Sequence, residues 1–152
     1  MDAVYRLSFA ILGDEADARD AAQETFLAAW RQVRGLRESE RLDAWLQRIA
    51  VNAARQTIRA SRRRRVREIP SSSVVSLAAR PAPAEPDDAA ILDAALATLP
   101  VEHRSILVLH HLEGRPVGEL ASIFDIPAGT AKSRLFAARR ALAEAIRREE
   151  TR

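Results

Sequence analysis

A chain of 152 residues with a formal net charge of +3 and no cysteine has room for one compact domain or two small ones. It carries no disulfide framework, thiolate nucleophile or zinc–thiolate site. No run approaches the roughly 18 apolar residues of a membrane span, and the charged start MDAVYR leads into no signal peptide, so the expected location is the cytoplasm. The charge is unevenly spread: between residues 48 and 67 there are eight arginines and no acid, whereas residues 14–24 are acidic. Such polarity suits a polyanion on one surface and a basic or polar partner on another, although an arginine tract is equally often a solvated face.

The first 67 residues read as helical. Val4, Leu7, Ile11 and Leu12 form a short apolar stripe that ends at the turn signal Gly13-Asp14. From residue 17 to 33 the stripe resumes through Ala18, Ala21, Ala22, Thr25, Phe26, Ala29 and Trp30. The polar piece RGLRESE predicts a loop. A third helix is expected from near Leu42 to about Arg64, burying Trp45, Leu46, Ile49, Ala50, Ala53 and Ala54. Trp30 and Trp45 both fall on apolar stripes and are expected in the core rather than as stacking platforms for bases.

Composition then shifts. The segment EIPSSSVVSLAARPAPAEPDD holds four prolines and a serine cluster without helical or alternating periodicity, so residues 69–88 read as a flexible linker. A connection of that length argues for two units joined loosely. Beyond it, Ile91, Leu92, Ala95, Leu96 and Leu99 outline a helix stopped by Pro100. Ile106, Leu107, Leu109 and Leu112 outline the next, stopped by Gly114. Val117, Leu120, Ala121 and Phe124 outline a short third helix ended by Asp125.

The last segment, DIPAGTAKSRLFAARRAL, contains the single lysine of the chain. Two short helices around a tight Asp125-Ile126 turn have the form of a helix-turn-helix, with Pro127 suited to the first helical turn. Ala131, Leu135, Ala138 and Leu142 are spaced four, three and four apart and share one face, which should pack inward. Thr130, Lys132, Ser133, Arg134, Arg139 and Arg140 then stand on the remaining surface. A helix enters the major groove with its N-terminal residues nearest the base edges. Arg134 is therefore the best base-reading candidate, Lys132 and Ser133 can contact bases or phosphates, and Arg139 and Arg140 suit phosphates. By periodicity and charge alone, this helix is either a DNA reader or a half-solvated surface helix.

Four stretches together resemble the extracytoplasmic-function group of bacterial sigma factors: GDEADARDAAQETFLAAWRQV (13–33), LDAWLQRIAVNAARQTIR (42–59), LATLPVEHRSILVLHHLEG (96–114) and ELASIFDIPAGTAKSRLFAARRAL (119–142). The resemblance implies an all-α chain of two small helical domains joined by a flexible linker. Residues 1–68 would hold the polymerase clamp and the melted minus-10 element. Residues 69–88 would pass through the RNA channel, where Glu85, Asp87 and Asp88 suit space otherwise filled by RNA. Residues 89–148 would form a four-helix domain that sits on the flap and places its helix-turn-helix in the minus-35 groove.

The expected partners are core RNA polymerase, through clamp and flap, and promoter DNA. An anti-sigma protein holds many relatives inactive, and the apolar surfaces used for polymerase are compatible docking sites for one. Asp20, Gln23 and Glu24 resemble the clamp-contacting part of the family's DxxQE helix; exposed carboxylates and an amide can pair with arginines on a partner helix. Arg48, Asn52, Arg55 and Arg59 share one flank of the third helix and could track phosphates or hold an unstacked base. The loop 35–41 resembles the family's acceptor of a flipped base. No cofactor, metal, small-molecule substrate, membrane insertion or enzymatic activity is expected. The three histidines, His103, His110 and His111, lack ligand spacing and a carboxylate partner.

The chain also departs from the family pattern. The match begins late, as a misassigned gene start, a truncated chain or a shortened first helix would each produce. Pro116 occupies the usual Ser/Thr cap position, a loss worth roughly 0.5–2 kcal/mol. Gly118 in the first turn costs about 1 kcal/mol against Ala. LDAW stands in place of a polar-capped FSTW. A regulator that binds DNA through its second half without directing initiation is the alternative, and the clamp-like first half and long linker argue against it.

Overall fold

The computed structural model describes residues 2–36, 41–67 and 87–152. Every regular element in them is helical. Helix α1 (Asp2–Leu12) buries Val4, Leu7 and Ile11 along one face. Gly13 stops it at a φ of +71°, and its N–H reaches the Phe9 carbonyl at 2.8 Å. Asp14 then caps α2 (Glu15–Gln32), its Oδ1 accepting the Asp17 N–H at 2.9 Å. Asp14→Ala should lower stability by about 0.5–2 kcal/mol, read as a reduced thermal midpoint with the helical signal otherwise intact.

Helix α2 approaches α3 (Leu42–Arg67) through the small residues Ala18, Ala21, Ala22 and Thr25, and these two helices make the most extensive pairing in the fold. The buried Thr25 hydroxyl is satisfied by the Ala21 carbonyl at 2.7 Å. Trp30 departs from expectation: it is 82% exposed. At 100° per residue it lies about 140° around the helix from Thr25, off the strip that α3 covers. Trp45 is half-buried.

The second region holds α4 (Asp88–Thr98), α5 (Val101–Leu107), a π-helical turn (Val108–Leu112), α6 (Val117–Phe124) and α7 (Ala128–Glu150). The linker expected over 69–88 lies outside the described residues as far as 86, and its last two positions belong to α4 instead. Asp87 caps that helix through the Ala89 N–H, and Asp88 opens it. Asp125 closes α6 in the left-handed region at φ 52°, and the Ile126 N–H reaches back to the Ala121 carbonyl at 3.0 Å. Pro127 takes the cap position of α7, one residue before the first helical turn. Helix α7 buries Ala131, Leu135, Ala138 and Ala145 against α4, α5 and α6.

The two regions are not merely tethered. Val4, Leu7 and Ile11 of α1 and Ala50, Val51 and Ala54 of α3 join one apolar cluster with Ile106, Leu109, Leu120 and Phe124. Helix α1 meets α5 and the π turn, while α3 meets α5 and α6. The loose joining expected from linker length thus gives way to a shared core, because apolar residues of both regions face one seam.

Among the described residues, no helix is long and apolar enough to cross a membrane. That statement replaces the cytoplasmic location expected from the sequence, since helix length and hydropathy speak to membrane crossing and not to compartment.

Candidate nucleic-acid interface

Along α3, Arg48, Asn52 and Arg59 are exposed, while Arg55 is half-buried. Arg48 and Asn52 open onto a cleft of about 720 Å³ between α2 and α3, together with Glu24, Arg31, Trp45 and Gln56. Gly35 also lines it, whereas residues 37–40 of the expected loop lie outside the described residues. An aromatic ring beside amide and guanidinium donors can stack and hydrogen-bond an unpaired base. Glu24, placed by sequence with the polymerase-facing residues, is brought to the same cleft. Asp20, Gln23 and Glu24 are exposed on α2, and Leu27 and Trp30 prolong that wet face with exposed apolar surface.

On α7, Thr130, Lys132, Ser133, Arg139 and Arg140 are exposed and Arg134 is half-buried. The buried Ala131, Leu135 and Ala138 seat the helix so that its leading edge points outward. The Ser133 hydroxyl donates to the Gly129 carbonyl at 3.0 Å. Arg139 Nε donates to His111 Nε2 at 3.3 Å, and His110 Nδ1 donates to the Arg115 carbonyl at 2.8 Å. Burial, then the neighbouring His110 and Arg139, hold the His111 proton affinity below the ordinary value of 6.5. The folded state therefore binds this proton less readily than the unfolded chain, so His111 makes stability rise with pH through the ordinary histidine range and fall on acidification. Thermal melts at pH 5.5 and 7.5 should differ in that direction, with a smaller difference in His111→Gln.

Sequence reasoning missed a contact between the two regions. Arg55 of α3 and Arg134 of α7 both approach the buried Phe124 ring, at 5.3 and 6.0 Å from its centroid. Burial lowers the Arg55 proton affinity; Glu102 opposes that shift, and Arg134 and Arg59 add to it. Its Nε is buried without a partner among the described residues.

A second missed feature is Arg115, which follows Gly114 in the GRP turn and is only 8% exposed. Its Nε donates to Gln47 Oε1 at 2.7 Å, its Nη1 to Glu119 Oε2 at 3.0 Å and its Nη2 to Asp43 Oδ2 at 2.8 Å. Burial alone would lower its proton affinity, but the bonds to Asp43 and Glu119 outweigh this and raise it. The hydrogen bond from Arg115, then that from the Ala44 N–H, holds the Asp43 carboxyl below its ordinary value. A lone arginine in a turn gives no sequence signal for partners some seventy residues away. Among the described residues, no group of three or more His, Asp or Glu side chains is placed to hold a metal ion.

Residues 1–64 match the family model Sigma-70 region 2, and residues 89–142 match Sigma-70, region 4. The chain is 33% identical over 145 residues to the ECF RNA polymerase sigma factor SigE of Mycolicibacterium smegmatis, covering 93% of this chain and 56% of that protein. It is 32% identical over 148 residues to the RNA polymerase sigma-H factor of Pseudomonas aeruginosa, covering 88% of this chain and 75% of that one. The sigma factor RpoE from Bartonella quintana, solved in complex with the anti-sigma factor NepR, superposes with a TM-score of 0.68 at 28% identity, covering 96% of this chain and 91% of that one.

The chain belongs to the extracytoplasmic-function group of the sigma-70 family of RNA polymerase sigma factors. It spans about half the length of the mycobacterial relative.

Proposed function

We propose that this chain is a dissociable sigma subunit that binds core RNA polymerase and directs promoter-specific initiation, without catalysis of its own. The observation that carries this reading is the exposed leading edge Thr130, Lys132 and Ser133, with Arg134 beside it, on a helix seated by buried Ala131, Leu135 and Ala138. Helices α6 and α7 with the Asp125 turn form the helix-turn-helix of a four-helix unit over 89–148. Arg134 reads a base edge of the minus-35 element, while Arg139 and Arg140 hold phosphates. The unit over 1–68 uses Arg48, Asn52, Arg55 and Arg59 at the melted minus-10 element, and its cleft beside Trp45 receives an unpaired base. Asp20, Gln23 and Glu24, with exposed Leu27 and Trp30, form the clamp-facing surface. Residues 69–88 connect the two units along the polymerase channel, and α4–α7 meet the flap. An anti-sigma protein is a further proposed partner, supported by likeness to the Bartonella sigma factor solved with NepR.

The test is transcription on an unbiased promoter library by purified core polymerase, with and without the chain. Initiation at a distinct promoter set is the expected result. Duplex binding with no gain in initiation anywhere in the library would instead make the chain a DNA-binding regulator.

A further inference from the structure

We infer that Arg115 is a polar latch that holds the two regions of the free chain, and with them α3 and α7, in one closed arrangement. The inference rests on the reading of those two helices as promoter-facing. Arg115 is nearly buried, and all three of its guanidinium nitrogens are engaged. Two of its partners, Asp43 and Gln47, come from the first turns of α3, and the third, Glu119, from α6. The cluster extends outward on both sides. Gln47 Nε2 donates to Glu113 Oε2 at 3.1 Å, and Arg41 pairs with Glu119. Among the described residues, the ion pairs that cross between the regions are Arg115–Asp43 and Arg41–Glu119, both in this cluster.

Elsewhere across the same seam like charges also meet, with Glu102 of α5 as the opposing charge beside Arg55. Arg55 and Arg134 share the face of one phenylalanine. Arg104, only 9% exposed, feels the positive charge of Arg62, and its Nε is buried without a partner among the described residues. Closure is therefore opposed by arginines that a polyanion would neutralise, and held by the Arg115 cluster together with the Glu102–Arg55 attraction, the Arg55–Phe124 contact and the apolar seam beneath them. A planar guanidinium fork suits this role because it fixes three acceptors at once, and one lost partner leaves a desolvated cation. In the closed form Arg55 is engaged with Phe124 of the other region rather than free for DNA. Binding of promoter-loaded polymerase, which draws α3 and α7 to separate DNA elements, requires the latch to open.

The chain contains no cysteine, so dyes can be attached at Ala16→Cys and Ala143→Cys, exposed alanines of α2 and α7. Energy transfer between them reports closure, and far-UV circular dichroism reports folding. Arg115→Ala should shift the closed-to-open ratio by roughly tenfold or more, since it removes charge-assisted bonds to the other region. Asp43→Asn should shift it by roughly two- to fivefold, as its carboxylate is largely exposed. Both variants should bind single-stranded minus-10 DNA more tightly than the parent when no polymerase is present.

Unchanged transfer in Asp43→Asn and in folded Arg115→Ala would overturn the latch. So would opened variants whose free-chain DNA affinity stays at the parental value. If Arg115→Ala loses its helical signal, Asp43→Asn decides, because that residue lies on the surface. Transcription with core polymerase is scored in parallel. A latch that opens in a chain that never initiates leaves the inference standing and removes the sigma reading; normal initiation with unchanged transfer does the reverse.

Discussion

Arg134→Ala is expected to weaken binding to a preferred minus-35 duplex roughly 5- to 150-fold, the equivalent of about 1–3 kcal/mol for one bidentate arginine–guanine pair. The loss should be confined to one or two base positions, so a randomised minus-35 library assayed with polymerase present would flatten there and keep its preferences elsewhere. Lys132→Ala gives the contrasting result: weaker binding to all sequences alike, with a salt dependence shallower by about one phosphate contact. The distinction follows from position. Lys132 is exposed at the leading edge of α7, whereas Arg134 lies closer to the core and approaches the Phe124 ring. A promoter profile identical to the parent's would remove Arg134 as a base reader. Binding should be compared on the polymerase-bound protein, because removing Arg134 from the free chain also removes a repulsion with Arg55 and favours closure.

Leu109→Ala should have the largest effect on stability. The side chain is fully buried in the cluster that joins the two regions, within the π turn. Large-to-small replacements at such sites cost about 2–5 kcal/mol, a sizeable part of the roughly 5–15 kcal/mol that holds a domain folded. For a chain of this size that corresponds to a thermal midpoint lower by roughly 4–20 °C. Leu112→Ala is the control, since Leu112 is 71% exposed and its loss should change stability by no more than about 0.5 kcal/mol. A Leu109→Ala midpoint equal to that of Leu112→Ala would mean the seam between α1, α5 and the π turn contributes little. The contrast arises from backbone geometry. The Glu113 N–H reaches the Val108 carbonyl at 3.1 Å and the Arg115 N–H reaches the Leu109 carbonyl at 2.9 Å, a wider winding than an α-helix. That winding turns Leu112 off the apolar stripe on which a regular helix would have kept it.

Helix limits were legible wherever a local cause set them. Gly13-Asp14, Pro100, Gly114 and the Asp125–Pro127 turn each act on residues within one turn of themselves, and the stretches between them carry their own apolar period. The inward face of α7 was legible for the same reason, since Ala131, Leu135 and Ala138 are spaced to share it. The family was legible because four separated motifs occur together in one order.

Placement around and between helices was not legible. Trp30 satisfied a stripe drawn too wide, and only the path of α3 across α2 decided which strip was covered. Arg48, Asn52, Arg55 and Arg59 read as one flank, yet Arg48 and Asn52 line an open cleft while Arg55 is drawn to Phe124 of the other region. Arg115 gave no signal at all, because its meaning resides in Asp43 and Gln47, which approach it only when the two regions close. The sequence by itself determined the helices, the turns that stop them and the family, all products of short-range periodicity and motif order. The tertiary structure alone decided that Arg55 of α3 meets Phe124 of the second region across a seam that Arg115 bridges. Burial and charge across such a seam depend on the relative placement of distant segments, which no local pattern encodes.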